Sequence, residues 1–331
     1  MKIDSVGIIG GGAWGTALAL SLRRSGRDVV LWAREPEVVA GINERHLNAA
    51  FLPGVALDPA IRATGKLAEL ARSDALMLVA PAQHVRAVSQ QLKPHLRKGQ
   101  PIVLCAKGIE QQSGRLMGEV LDETVPEAPR AVLSGPSFAA DVARGLPTAL
   151  TIACANEPMG RVLAERLGNR SLRLYWTSDL VGVELGGALK NVLAIAAGIV
   201  DGKGLGASAH AALVTRGFAE LRRFGEALGA RPETLTGLSG LGDLILTCGS
   251  AQSRNMSLGR ALGQGQSLAQ ALGGRTAVTE GVYTAVAVRR IAAEKGIEMP
   301  ICSAVCDIVE GRISVADAIG RLMQRPLKPE D

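Results

Sequence analysis

Along the first 176 residues, short unbroken apolar runs alternate with stretches whose apolar positions recur every three to four residues. The runs cover 6–9, 28–32, 75–80, 101–106, 130–134, 148–153 and 172–176. They lack the in-and-out alternation of a strand with one wet face, so they read as strands buried on both faces of a mainly parallel sheet. The intervening stretches at 14–24, 36–45, 83–92, 114–123 and 158–167 carry helical periodicity. Strand and helix in turn predict a doubly wound α/β domain, with ligands gathering where the strands end and their order reverses.

After residue 178 the strand signal stops. Helical pattern then covers 180–200, 208–228, 232–235, 241–246, 255–263, 268–272, 282–295, 302–310 and 315–324, broken by the Gly-rich 201–206. The expected organisation is a sheet domain over 1–177 and an all-helical domain over 178–331, and 331 residues suffice for two cores. The longest apolar stretch, 180–200, contains Glu184, Lys190 and Asn191, which argues against a membrane span. A chain that enters a strand almost at once leaves no room for a signal peptide. Five cysteines without metal-ligand spacing fit reduced thiols, so a cytoplasmic location is expected.

Charge adjusts this picture only slightly. The net charge is +6 and the pI about 9.3, but basic residues are dispersed and aromatics for base stacking are few. That excludes nucleic acid as the partner and suits a small phosphorylated substrate. Only nine of the 37 basic residues are lysine. A lysine among apolar neighbours therefore stands out, because lysine, unlike arginine, can lose its proton at working pH. His84 and His210 lack a clear carboxylate partner and read as structural. With no Cys/His/Asp group at metal-site spacing, a metal-free chemistry is expected.

The run 6–9 breaks into Gly10-Gly11-Gly12-Ala13-Trp14-Gly15. Gly10 permits a tight strand-to-helix turn, Gly12 lets backbone approach a pyrophosphate, and Gly15 lets the helix lie close on the sheet. A strand before, a helix after and a second strand at 28–32 make this a dinucleotide-binding turn. Beyond that second strand, Arg34 suits a 2′-phosphate, favouring NADP(H) while admitting NAD(H). Glu35 either binds a ribose hydroxyl or begins the next helix.

Lys107, at the end of the run 101–106, lies on the ligand side of the sheet; it either meets a substrate oxygen or phosphate, or is a loop lysine. Gly135 and Ser137 form a small anion or hydroxyl site, or an ordinary Pro-led helix start. Lys190 has Gly186, Gly187, Leu193 and Ala194 three and four positions away. Burial there would bring its pKa to the ~7–8 range useful for acid–base work, whereas snorkelling would leave it an ordinary ammonium. Asp243 and Thr247 share a helical face; Asp243 either holds Lys190 in register or complements a helix dipole. At Ser253-Arg254-Asn255 a hydroxyl, a guanidinium and an amide converge, suiting a phosphate or simply capping a helix.

Together these segments resemble the bacterial-type NAD(P)-dependent glycerol-3-phosphate dehydrogenases over nearly the whole length. The resemblance rests on 10–17, 48–54 (Asn-Ala-Ala-Phe-Leu-Pro-Gly), Lys107-Gly108, 134–139 (Ser-Gly-Pro-Ser-Phe-Ala), 184–191 (Glu-Leu-Gly-Gly-Ala-Leu-Lys-Asn), 240–244 (Gly-Leu-Gly-Asp-Leu) and 253–255. It implies an N-terminal Rossmann domain and an all-helical substrate domain that interconvert dihydroxyacetone phosphate and sn-glycerol 3-phosphate, feeding phospholipid synthesis. By resemblance Lys190 is the proton acceptor and donor, aided by Lys107, Asp243 and Thr247. Gly135, Ser137, Asn191, Ser253, Arg254 and Asn255 would surround the substrate, with Arg254 on its phosphate. Ala13, Trp14, Arg34, Lys107, Ala139, Arg254, Val278 and Glu280 correspond to cofactor contacts. The sequence leaves the oligomeric state open and admits a homodimer. Two rivals stand beside this reading: a β-hydroxyacid or 6-phosphogluconate-type dehydrogenase, and an NADP(H)-sensing module without turnover.

Overall fold

The computed structural model describes residues 2–273 and 279–326. Its first part runs β1 (Ser5–Ile9), α1 (Ala13–Arg24), β2 (Asp28–Trp32), α2 (Pro36–Arg45), β3 (Leu47–Asn48), β4 (Leu52–Ala56), β5 (Arg62–Thr64), β6 (Ala75–Leu78), α3 (Val85–Leu92), β7 (Ile102–Leu104), α4 (Met117–Thr124), β8 (Arg130–Ser134), α5 (Ala139–Arg144), β9 (Thr148–Ala153), α6 (Glu157–Leu167) and β10 (Leu172–Thr177). Eight strands form one sheet in the order β10-β9-β8-β7-β6-β1-β2-β5. Neighbours are parallel except β8 and β9, which run antiparallel. Strand β1 sits between β6 and β2, with Ile9 opposite both Leu78 and Trp32. The order reverses there, so a crevice is expected outside the carboxyl end of β1.

The apolar runs become strands at all seven expected places, and three details differ. The sheet has an eighth strand, β5, whose Arg-Ala-Thr is too short and too polar to signal one. A small antiparallel hairpin, β3–β4, inserts before it. The helix expected over 114–123 begins only at Met117, because Gly114 has a left-handed φ of +76° and Glu119 accepts the Leu116 N–H at 2.8 Å to start the helix.

After β10 the described chain is helical: α7 (Leu180–Gly202), α8 (Gly206–Ala227), α9 (Pro232–Thr236), a π-helical turn (Leu238–Gly242), α10 (Asp243–Cys248), α11 (Arg254–Gly263), α12 (Leu268–Leu272), α13 (Glu280–Lys295), α14 (Pro300–Val309) and α15 (Val315–Met323). Helix α7 is the axle. From Gly182 to Val200 every residue is buried, and α8, α10, α11, α13 and α14 pack around it. By length and mean hydropathy (1.6) it is the one helix among the described residues able to cross a membrane, yet its apolar stretch lies inside the fold. Its glycines set its neighbours' distance. A Cβ on Gly198 would overlap the Met256 carbonyl oxygen, and one on Gly259 would overlap that of Ile195. Helices α7 and α11 therefore cross in backbone contact.

Two buried carboxyls tie helix starts to this core. Glu184 on α7 accepts the Gly118 N–H at 2.8 Å, joining α7 to the first turn of α4 beside the sheet. Glu220 on α8 accepts the N–H groups of Ile301 and Cys302 at 2.6 and 3.1 Å, satisfying the start of α14. Burial pushes both carboxyls up to about 7, against the pull of those N–H groups.

Candidate active site

The glycine turn has the geometry its spacing requires. Gly10 has φ +132°, open to glycine alone, and a Cβ on Gly15 would overlap the Gly10 carbonyl oxygen. Gly12, the residue before α1, has nothing within 4 Å of where a Cβ would stand. The turn thus presents the first N–H groups of α1 to open space, as a pyrophosphate needs. Asn48, on the hairpin, braces it by donating to Gly11 O and Thr16 Oγ1, both at 2.8 Å. Pattern gave Asn48 no chemical role, since a lone asparagine before a turn is unremarkable.

Trp14 is half-buried, with its indole N–H buried and unpartnered. Ala13 and Ala139 open α1 and α5. Arg34 lies just past β2 with a side chain 78% exposed, paired to Glu35 at 3.0 Å. Val278 lies outside the described residues. These features fit a dinucleotide: an open cradle at a helix N-terminus, an orphaned donor beside it, and a cation past the second strand.

At the same carboxyl edge of the sheet, Lys107 follows β7 and donates to Gly135 O at 3.0 Å and to Asp243 Oδ2 at 2.7 Å. From α7, Lys190 donates to Asp243 Oδ1 and, at 3.0 Å, to Thr247 Oγ1. Thr247 in turn donates to Asp243 Oδ1 at 3.2 Å. One carboxylate, with no solvent exposure, is therefore shared by two ammonium groups, one from the sheet and one from α7. Burial pulls the Lys190 amine down to about 8; the charge of Asp243 opposes this and that of Lys107 adds to it.

The small residues around Lys190 explain the approach. A Cβ on Gly187 would come 2.6 Å from Ser134 Oγ, and one on Gly186 would overlap the Ser239 carbonyl in the π-helical turn. Glycine at both positions lets α7 lie against the end of β8 and against the turn that delivers Asp243.

The remaining candidates surround this centre. Gly135 (φ +141°) packs on Leu150, and Ser137 donates to its carbonyl at 3.2 Å. Ser253 caps α11 by accepting the Met256 N–H at 3.2 Å, so it serves the helix start directly. Arg254, first in α11, is exposed; desolvation by the surrounding protein lowers its proton affinity while the nearby Glu280 charge raises it. Glu280, at the start of α13, accepts the Ala82 N–H at 3.0 Å, and its second oxygen is buried without a partner. Asn191 and Asn255 face one another at 2.9 Å.

Among the described residues no group of three or more His, Cys, Asp or Glu side chains gathers as a metal site. A cavity of about 820 Å³ opens beside Asp28 and Arg62 at the amino-terminal edge of the sheet, among none of these candidates. The candidate residues gather at the other edge.

Comparison with known proteins agrees with this fold. Residues 5–160 match the family model for the N-terminus of NAD-dependent glycerol-3-phosphate dehydrogenase, and 179–320 match that for its C-terminus. The chain is 58% identical over 330 residues to glycerol-3-phosphate dehydrogenase [NAD(P)+] of Caulobacter vibrioides, covering all of both chains. It is 58% identical over 325 residues to the protein of that name from Parvibaculum lavamentivorans, covering 98% of each. The crystal structure of glycerol-3-phosphate dehydrogenase from Coxiella burnetii superposes with a TM-score of 0.93 at 38% identity, over 98% of this chain and 99% of that one. With both halves matched in order and full-length relatives at 58% identity, the chain belongs to the NAD-dependent glycerol-3-phosphate dehydrogenase family.

Proposed function

We propose that the protein interconverts dihydroxyacetone phosphate and sn-glycerol 3-phosphate, with Lys190 as the proton-transfer group. The observation that carries the reading is the buried Lys190 amine, held between Asp243 and Thr247 at the carboxyl edge of a dinucleotide-binding sheet. When bound, the nicotinamide cofactor supplies hydride to C2 of the ketone. Protonated Lys190 gives its proton to the oxygen on C2 as negative charge develops there, and the neutral amine takes that proton back in the reverse direction. Lys107 adds a second positive charge beside that oxygen, so the site stabilises an alkoxide without a metal ion. Asp243 holds both ammonium groups in place, and Thr247 orients the Lys190 amine. Arg254 with the start of α11 holds the remote phosphate, and that binding orients the reacting carbon. Gly135, Ser137 and Ser253 complete the walls.

On the cofactor side, the glycine turn holds the pyrophosphate, and Ala13, Trp14, Ala139 and Glu280 line the rest. Arg34 recognises a 2′-phosphate, giving a preference for NADPH over NADH. The Arg34→Ser variant should raise KM for NADPH more than for NADH; an unchanged ratio removes Arg34 from that role. We read the chain as two lobes divided at 177/178 and as a cytoplasmic homodimer that supplies phospholipid synthesis. Its five buried free thiols suit a reducing compartment, and light scattering tests the dimer.

The deciding experiment follows NADPH absorbance with dihydroxyacetone phosphate as substrate. Loss of absorbance is expected, and the Lys190→Met enzyme should bind NADPH without turnover. Oxidation of a hydroxyacid but not of glycerol 3-phosphate would favour the hydroxyacid rival. Cofactor binding with no hydride transfer to any phosphorylated ketone would favour the sensor.

A further inference from the structure

We propose that residues 109–116 form an arm that fastens Lys107 to the helical part of the molecule, with Gln83 and Arg290 as its positioning residues. Lys107 stands between the end of β7 and this arm. Whatever fixes the arm therefore fixes the direction from which the Lys107 ammonium reaches Asp243. The arm doubles back on itself. Ile109 bridges Leu116, the Glu110 N–H donates to Arg115 O at 3.0 Å, and the Gly114 N–H donates to Glu110 O at 2.8 Å. Its two base residues, Ile109 and Leu116, are buried in the core built around α7. Among the described residues they are the buried apolar side chains from before α7 that this core takes in. A segment that leaves the sheet is rooted in the other hydrophobic core.

Gln83, in the turn that leads into α3, meets the arm as a neighbouring strand would. Its Nε2 donates to Ile109 O and its Oε1 accepts the Gln111 N–H, both at 2.9 Å. A side-chain amide offers a donor and an acceptor side by side, which matches the C=O and N–H of residues two apart on one strand edge. One turn on, Arg86 clasps Glu110 with two bonds at 2.9 Å, and Ser113 donates to the same carboxylate. At the tip, Arg290 from α13 donates to Gln112 O at 3.0 Å, and a Cβ on Gly114 would lie 2.5 Å from Arg290 Nη2. Just past Lys107, a Cβ on Gly108 would stand 2.7 Å from Ala82 Cβ, so glycine lets the root of the arm lie close. Gln83 and Arg290 bond to backbone two to five residues beyond Lys107, and act on it through the arm.

The position of Lys107 matters to Lys190. The titratable groups around the Lys190 amine are Asp243 and Cys248 on α10 and Lys107 from the sheet. Cys248 stays neutral, its thiol pushed up to about 12 by burial. The charge of Lys107 loosens the hold of Lys190 on its proton, and that of Asp243 tightens it. A slack arm lets Lys107 draw back and leaves the Asp243 carboxylate to Lys190 alone. Lys190 then binds its proton more tightly, and the pH midpoint of ketone reduction moves up.

The inference rests on the reading that Lys107 acts beside the substrate oxygen, and a Lys107→Met control separates the two. Gln83→Leu removes both bonds to the arm, and Arg290→Ala frees its tip. Each should lower kcat for dihydroxyacetone phosphate by about 10- to 100-fold, with KM changed less than about threefold. Each should also raise the pH midpoint, as Lys107→Met does. Added to Lys107→Met, Gln83→Leu should cost less than about twofold more, because the ammonium it positions is already gone.

A full additive loss in that double variant would show that Gln83 acts elsewhere and overturn the proposal. A lowered kcat with an unmoved pH midpoint would do the same, making the arm a brace for the fold alone. Should Gln83→Leu fail to fold, Arg290→Ala decides in both backgrounds. Parental kcat and midpoint in Lys107→Met bring down the reading of Lys107 itself. An impaired Lys107→Met beside parental arm variants brings down only the arm.

Discussion

A lysine exchanges protons with a substrate near neutral pH only if its surroundings make the charged form costly, and α7 provides those surroundings. Burial draws Lys190 to about 8, while Asp243 keeps the amine from losing its proton altogether. In the proposed mechanism ketone reduction needs the protonated Lys190 amine, so its rate should fall as pH rises through about 8. Oxidation of glycerol 3-phosphate needs the neutral amine and should rise over the same interval. Opposite-handed pH profiles in the two directions check this, and parallel profiles would assign the proton to another group. At the far end of the substrate, Arg254→Ala should cut kcat/KM for dihydroxyacetone phosphate by about 100-fold or more, as loss of a charge-assisted phosphate contact does. The residual rate with unphosphorylated dihydroxyacetone should barely change; equal losses would place Arg254 elsewhere. At this scale much was legible. Lys190 announced itself by its small neighbours, and Asp243 and Thr247 by their four-residue spacing. Which alternative held for Asp243 was not, because only packing brings α10 against α7. The contact of Asn48 with the glycine turn and the pairing of Asn191 with Asn255 were hidden for the same reason: their partners lie 37 and 64 residues away.

Elements were legible where length and pattern agree. Strands β1, β2, β8, β9 and β10 fall on their apolar runs almost residue for residue. The direction of β9 was not, because an apolar run carries no sign of whether it pairs parallel or antiparallel. Strand β5 has three residues and borrows its pairing from β2, so tertiary context creates it. Among helices, the α7–α11 crossing shows how composition becomes geometry. Glycines that would weaken an isolated helix here bring two backbones together. Gly198→Ala should therefore destabilise the protein by about 1–3 kcal/mol, although alanine is the better helix former. Urea unfolding measures this, and a neutral or stabilising result would mean that α11 can move aside.

For the molecule as a whole, Glu184 joins the helical part to the sheet part through α4, and Glu220 holds α14 to α8. Both bind their proton more tightly folded than unfolded, at about 7 against the ordinary 4.5. Their contribution to stability is therefore complete below about 4.5 and is lost as pH rises to about 7, by up to about 3 kcal/mol each. The Glu184→Gln variant, which cannot titrate, should flatten the fall in unfolding free energy between pH ~5 and ~7.5. An unchanged slope would mean that Glu184 ionises normally in the folded protein.

Helix α7 has one more consequence, and it concerns the ribosome. Residues 180–202 leave the exit tunnel before the helices that enclose most of them, the last of which to pack on α7 end at residues 295 and 309. At a synthesis rate of about 5–20 residues per second, a nascent helix greasy enough to enter a bilayer waits roughly 5–20 s for its covering. During that interval the newborn chain presents the same face to chaperones and to the insertion machinery that the finished enzyme hides completely.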